Sequence, residues 1–500
     1  MGQKVAHGFP GVTLREQALS GFRWHASAKL ASQMVTWAVT LVVIRLLTPE
    51  DYGLLAMSTV FVIFLAAFSE FGLSAAVIQK ADVDESLLRK VFGATLVIHF
   101  LLAALLVLAA PLVASFYAEP RVTLVIRVLS LQIILAAFEV IPNAQLQRRM
   151  EFRNRSLLDL SGAIIGSVTT LTMALAGEGV WALVVGMLVS QTWRTVGLNW
   201  LAPFLHWPEF SVQGMRSLLR FGGQVTASQV LWVFFTQVDI VICGKWLGKE
   251  ALGFYSVAMH LASLPTQRVL GIINQVAFPA FSRMQDDVRK VGENVLLGIR
   301  ILSFFSFPLM WGISSIAQEI VEVILGAKWT PSAIPLQILG LIMPLRMIAN
   351  FVPAAIQGMG RSDILLRNAI WASVILPLAF LIGVNWGLLG ISLAWLVASP
   401  LMFLQSTMRI VPALGLHMRQ LFKAMMPAAG AGFIMYAAVT ATRYIFTDGQ
   451  GGVLRLCILV AVGAVAYCVV SFGLNRKGTH EVVEMLRSVA MFKRTKSAAE

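Results

Sequence analysis

Residues 45–53 read Arg45-Leu46-Leu47-Thr48-Pro49-Glu50-Asp51-Tyr52-Gly53, and residues 245–253 read Lys245-Trp246-Leu247-Gly248-Lys249-Glu250-Ala251-Leu252-Gly253. Laid over one another without a gap, the two stretches match charge with charge, leucine with leucine, glutamate with glutamate and glycine with glycine, and Thr36 meets Thr236 upstream. Each stretch is a short polar break between two long apolar runs, so the chain repeats a pair of helices in its two halves. A fainter echo follows: Pro142–Gln147 resembles Pro353–Gln357, and Gly179-Val180-Trp181-Ala182-Leu183 and Gly387-Leu388-Leu389-Gly390-Ile391 open corresponding runs.

The apolar runs on either side of these breaks fill the chain. Of 500 residues, 58% are apolar and 13% charged, whereas a soluble domain carries roughly 25% charged residues. A run of about 20 apolar residues crosses the hydrocarbon core as a helix. Spans are expected near 24–44, 52–71, 91–117, 122–145, 157–176, 179–202, 221–246, 251–279, 293–325, 331–357, 363–384, 387–410, 421–446 and 451–474. The expected fold is therefore an all-α polytopic membrane protein of about fourteen transmembrane helices. A soluble enzyme, a disordered chain and a single-pass receptor are excluded. Because paired spans keep the same direction, the repeat is parallel. Two pseudo-symmetric six-helix lobes are expected at 24–202 and 221–410, joined by a cytoplasmic linker at 203–220 and followed by an appended helix pair at 421–474. The first 23 residues, without an apolar core or a small-residue cleavage site, read as a retained cytoplasmic arm, and 475–500 as a cytoplasmic basic tail.

Charge fixes orientation. With both termini placed in the cytoplasm, most of the 39 lysines and arginines fall in cytoplasmic segments, as the resistance of basic residues to translocation requires. The net charge of +14 is then topology plus attraction to anionic headgroups. The basic residues form no clustered patch interleaved with aromatics, so nucleic acid is not an expected partner. Cys243, Cys457 and Cys468 lie in apolar runs without a CxxC pair and read as small hydrophobes, with no metal site. Gly244-Lys245-Trp246-Leu247-Gly248-Lys249-Glu250 is one residue too short for a phosphate loop and puts glutamate where serine or threonine would hold magnesium.

The informative residues are charges inside spans, since an arginine at the bilayer centre costs about 2.5 to 3.5 kcal/mol and persists only beside water, a partner or a ligand. Arg268 and Arg346 lie near mid-depth, Lys29 and Arg300 nearer the cytoplasm, and Arg127 near the outer side. One reading is a wet cationic cavity whose guanidinium groups hold phosphate oxygens bidentately. The others are snorkelling of Lys29, Arg127 and Arg300 to an interface, and internal ion pairing of Arg268 or Arg346 with Asp239 or Glu139. Asp239, the deepest acid of the second half, reads either as an ion-coupling carboxylate or as the counter-ion of a cavity arginine; Glu139 is a weaker candidate for the same roles. His99 and His260 lack a second ligand at metal spacing and read as buried hydrogen-bonding histidines.

Arg45-Leu46-Leu47-Thr48-Pro49-Glu50-Asp51-Tyr52-Gly53-Leu54, Phe71-Gly72-Leu73-Ser74, Gln147-Arg148-Arg149 and Gly179-Val180-Trp181-Ala182-Leu183 resemble the polysaccharide transporter family, over nearly the whole chain. That family holds the Wzx-type flippases, within the multidrug/oligosaccharidyl-lipid/polysaccharide exporter superfamily. The resemblance implies two lobes around a central cavity, alternating access, and no enzymatic activity. The implied cargo is an undecaprenyl-pyrophosphate-linked oligosaccharide repeat unit, moved from the cytoplasmic to the periplasmic leaflet of the bacterial inner membrane for exopolysaccharide, O-antigen or capsule. It also implies a monomer working beside a polysaccharide polymerase and export machinery, without a bound cofactor, and with proton or sodium coupling open. Some relatives bind sodium from spans seven, eleven and twelve; here span eleven offers Asn368 and, past its first residue Asp363, no acid, which speaks against that site. A drug antiporter of the same superfamily stays open as an alternative, and so does a membrane polymerase or glycosyltransferase, for which the outer-loop acids Glu50-Asp51 speak and the short outer loops speak against.

Overall fold

The computed structural model describes residues 36–69, 84–149, 151–204, 206–211, 216–445 and 452–484. Among these residues every regular element is helical, and the chain divides into two compact units, Met1–Val233 and Phe234–Glu500.

The first unit holds α1 (Thr36–Leu46), α2 (Pro49–Ser69), α3 (Glu85–Tyr117), α4 (Arg121–Leu129), α5 (Leu131–Ala137), α6 (Val140–Arg148), α7 (Phe152–Leu175) and α8 (Val180–Leu201). Its packing is that of a protein in lipid. On α3, Ala103, Leu106, Ala110 and Val113 are buried while Leu101, Leu108 and Leu112 stand mostly exposed, an apolar face that water would penalise and lipid does not. The α1–α2 break is fastened by side chains: the Thr48 amide and hydroxyl both donate to Asp51 Oδ2, at 3.0 and 2.7 Å, and the Asp51 amide donates back to Thr48 Oγ1 at 3.3 Å. The two residues thus form a reciprocal cap. Glu50 pairs with Arg121 at 3.4 Å, which also holds Glu119.

The second unit begins within α9 (Arg216–Arg283) and continues through α10 (Val288–Ser315), α11 (Ala333–Phe351), α12 (Pro353–Gly358), α13 (Ser362–Gly383), α14 (Gly387–Ala413), α15 (Met418–Ile445) and α16 (Gly452–Leu474). Helix α9 contains one non-helical residue, Gly248, at φ 81°, ψ −179°. The chain reverses there: Asp239 and Tyr255 would lie about 24 Å apart on a straight helix, yet their side chains touch at 2.6 Å. Gly387, opening α14 at φ 64°, ψ −146°, has almost the backbone of Gly179, which opens α8 of the first unit at φ 53°, ψ −131°. Only glycine adopts such angles cheaply, so the glycine echo seen in the sequence is an echo of backbone shape.

Helices α15 and α16 pack together and on α10, with Ala431, Met435, Val439, Leu459 and Tyr467 in one buried cluster with Ile316. They are tied down by charge at both ends. Buried Glu319 accepts from Arg443 of α15 at 3.0 Å and Arg455 of α16 at 3.4 Å, and Arg300 of α10 makes a bidentate pair with Glu481, just beyond α16, at 2.8 Å.

Nine helical stretches among the described residues are long and apolar enough to cross a bilayer, ten if the bent pair Arg121–Ala137 and Val140–Arg148 is one span. About fourteen were expected, and the difference has physical causes. The expected first span lies mostly outside the described residues; α8 carries Gln191, Arg194 and Asn199 and is too polar; and the spans expected on either side of Gly248, and of the Gly383–Gly387 break, run on as single apolar stretches.

Candidate functional site

Asp239 and Tyr255 sit on the two arms of α9 either side of Gly248, Arg346 on α11 and Trp395 on α14. Asp239, Tyr255 and Trp395 are almost wholly buried. The Tyr255 hydroxyl donates to Asp239 Oδ2 at 2.6 Å, and the Trp395 indole N–H reaches both Tyr255 Oη at 2.7 Å and Asp239 Oδ2 at 3.2 Å. The Ile240 amide donates to Oδ1 at 2.9 Å. A buried carboxylate must be satisfied by donors or neutralised, and here three donors converge on it. Over the face of Trp395 lies Arg346, its guanidinium carbon 3.9 Å from the ring centroid, with Nη1 against Met259 Sδ. Phe380 packs edge-on against the same indole at 5.2 Å between centroids. Arg346 is partly exposed, and no ion pair joins it to Asp239 among the described residues. One indole thus touches an acid and a guanidinium: its N–H serves the acid, its face the cation.

The first unit has its own buried acid. Glu139 stands at the break between α5 and α6, where the span bends by 42°. It accepts from Thr195 Oγ1 at 2.7 Å and Gln191 Nε2 at 2.8 Å, and Arg194 lies 3.3 Å from its second oxygen. All three partners are on α8. Arg194 also approaches Asp159 of α7 at 3.9 Å, and Asn199 donates to the Phe138 carbonyl freed by the break, at 2.9 Å. This cluster repairs a broken helix and braces it on its neighbours.

Of the residues singled out in the sequence, Asp239 and Arg346 are brought together. Glu139 is in the other unit. Arg300 is taken up by Glu481, a partner beyond the last span that its place toward the cytoplasmic end of its own span did not announce. Arg127 is exposed on α4. Lys29 lies outside the described residues, and so does the side chain of Arg268, within 267–280 of α9. His99 is buried and bonds the Thr95 carbonyl at 2.7 Å as expected; His260, expected to be buried, is exposed. Sequence reading missed Tyr255 and Trp395 as partners of Asp239. Asp239 and Tyr255 lie at similar distances before and after Gly248, so a chain reversal there places them at one depth.

Residues 42–334 match the profile of the family described as polysaccharide biosynthesis protein. The chain belongs to that family. It is 25% identical over 418 residues to the lipopolysaccharide biosynthesis protein WzxC of Escherichia coli (strain K12), covering 82% of this chain and 84% of the relative. It is 26% identical over 479 residues to the succinoglycan biosynthesis transport protein ExoT of Rhizobium meliloti (strain 1021), covering 93% and 94%. Its fold is similar to that of the lipid II flippase MurJ in an inward closed conformation, with a TM-score of 0.74 at 14% identity over 91% of this chain and 99% of that one. The chain is thus a multi-pass membrane protein of the polysaccharide biosynthesis family, with a transporter fold. The family match contains Glu139, Asp239 and Tyr255 and ends before Arg346 and Trp395.

Proposed function

We propose that the chain is a flippase that carries polyprenyl-pyrophosphate-linked oligosaccharide repeat units across the bacterial inner membrane by alternating access. The observation that carries this reading is Arg346, a partly exposed guanidinium held on the face of Trp395 within an apolar unit of a polysaccharide biosynthesis protein. Guanidinium is the side chain best matched to phosphate oxygens, and no apolar packing requirement calls for it at this depth. The names of ExoT, a transport protein, and MurJ, a flippase, agree with it. Cytoplasmic termini, two six-helix lobes with an appended pair, and cooperation with a polymerase and export machinery belong to the same proposal. Arg268 is proposed as a second cargo cation.

The contacts of Asp239 speak against a sodium site. Tyr255, Trp395 and the Ile240 amide all point hydrogens at it, whereas a sodium ion needs several oxygen lone pairs converging on one point. Outward movement of a doubly negative pyrophosphate is downhill in an inside-negative membrane by about 2.3 kcal/mol per charge per 100 mV, which supplies drive without a resident ion.

The test is translocation of a defined undecaprenyl-pyrophosphate oligosaccharide in proteoliposomes. Wild-type protein is expected to expose the lipid to an outside glycosidase, and Arg346→Ala to do so more slowly by at least about tenfold. A wild-type protein that moves no such lipid overturns the proposal.

A further inference from the structure

The Asp239–Trp395–Arg346 arrangement raises a physical question: opposite charges this close in an apolar setting attract strongly, yet they form no ion pair. Trp395 touches both, the acid at its N–H edge and the guanidinium on its face. Its edge is pinned by two acceptors, Tyr255 Oη and Asp239 Oδ2, Phe380 packs against it, and Arg346 rests on its face. Were the indole absent, the guanidinium could swing onto the carboxylate and form the bidentate pair that the two groups are built for. A guanidinium spent in that way has its charge neutralised and two of its five N–H groups occupied, and so holds a cargo phosphate more weakly.

We infer that Trp395 is a positioning residue that keeps Arg346 out of an ion pair with Asp239, and so keeps the guanidinium available to an anionic headgroup. Tyr255 assists by fixing the indole edge and by supplying the carboxylate with a donor in place of the arginine. The inference rests on the flippase reading for its cargo, a lipid pyrophosphate, but its geometry stands apart from that reading. The face of the indole holds the cation through its π-electrons, and the N–H supplies the acid with one of the hydrogens that the arginine would otherwise provide.

Two variants separate the parts of the indole. Trp395→Phe keeps a ring face and loses the N–H; Trp395→Leu loses both. In the proteoliposome assay, Trp395→Leu is expected to slow translocation by about tenfold, and Trp395→Phe by about threefold. The decisive variant is Trp395→Leu combined with Asp239→Asn. With no carboxylate to collapse onto, Arg346 is free again, and translocation is expected to recover by at least about threefold over Trp395→Leu alone. A merely structural tryptophan predicts the reverse, since a second buried substitution compounds the damage. Absence of recovery overturns the inference.

A second readout needs no cargo and separates failure of this inference from failure of the flippase reading. Thermal unfolding in detergent of Asp239→Asn, Arg346→Met and the double variant gives the coupling between the two charges. That coupling is expected to be small with Trp395 present and clearly larger in a Trp395→Leu background, where the direct pair forms. Equal coupling in both backgrounds overturns the inference whatever the protein transports.

Discussion

Glu139 and Asp239 are both buried carboxylates, one in each unit, and they are satisfied in different ways. Glu139 is reached from one neighbouring helix, by Thr195, Gln191 and Arg194, at a place where its own span has broken. Its cation is over a third exposed and has Asp159 as a second acid. Asp239 sits in an unbroken arm of α9, is 1% exposed, and takes its hydrogens from uncharged groups while the nearby arginine is held off. In the first unit the acid consumes its cation to mend a helix; in the second it leaves the cation to spare. The proposed flippase needs a spare cation for its anionic cargo, and Arg346 of the second unit is the residue proposed for it.

The sharpest way to break this contrast is to delete both acids. Asp239→Ala leaves the buried Tyr255 hydroxyl without its acceptor and the nearby guanidinium without a compensating charge, and is expected to cost about 3 kcal/mol. Glu139→Ala leaves Arg194 with Asp159 and partial access to solvent, and is expected to cost about 1 to 2 kcal/mol. Denaturant unfolding in detergent measures both. Equal losses would mean that the two sites are energetically alike.

Transport gives the next test. Arg346→Ala is expected to reduce translocation by at least about tenfold, and Arg194→Ala by no more than about threefold. An Arg194 variant as impaired as the Arg346 one would move the cargo contact into the first unit or share it between the two.

How much of this contrast can be read from residues alone depends on how local its causes are. The turn between the first two helices and its echo around Gly248 are written in contiguous residues, and both prove to be breaks. The glycines at 179 and 387 likewise announce a backbone shape that no side chain could adopt cheaply. Asp239 and Arg346 are conspicuous because charge is scarce in apolar runs. Their arrangement is not local: Trp395 lies 156 positions from Asp239, and one tryptophan among 13 carries no mark of its task. Arg300 fails for the same reason. Its partner Glu481 is 181 positions away, in a segment that reads only as a basic tail.

Arg300 sharpens the contrast further, because it shows a second-unit arginine that is spent. Arg300→Gln is expected to cost about 2 kcal/mol, since the pair is bidentate and mostly sheltered. It should speed hydrogen exchange in α16 while leaving α11 and α14 unchanged. Translocation in the folded protein should fall far less than in Arg346→Ala. A loss as large as that of Arg346→Ala would return Arg300 to the cargo path.

The smallest effects lie at the paired turns, where the two units solve one problem with different residues. Position 248 turns through a backbone that glycine alone adopts without strain, and nothing lies within 4 Å of where a Cβ would stand, so Gly248→Ala isolates the backbone cost, about 1 kcal/mol. Position 48 turns through the reciprocal bonds of Thr48 and Asp51, and Thr48→Ala removes one side of that cap for about 1 kcal/mol. The exchange is expected to be asymmetric. Thr48→Gly should be the milder change, costing a few tenths of a kcal/mol, because glycine is nearly as good a cap as threonine. Gly248→Thr should cost more than Gly248→Ala, because a β-branched side chain at φ 81° meets its own backbone. Equal penalties for the two exchanges would mean that the turns are held by their surroundings, and that the repeat at this point is one of sequence without a separate solution in each unit.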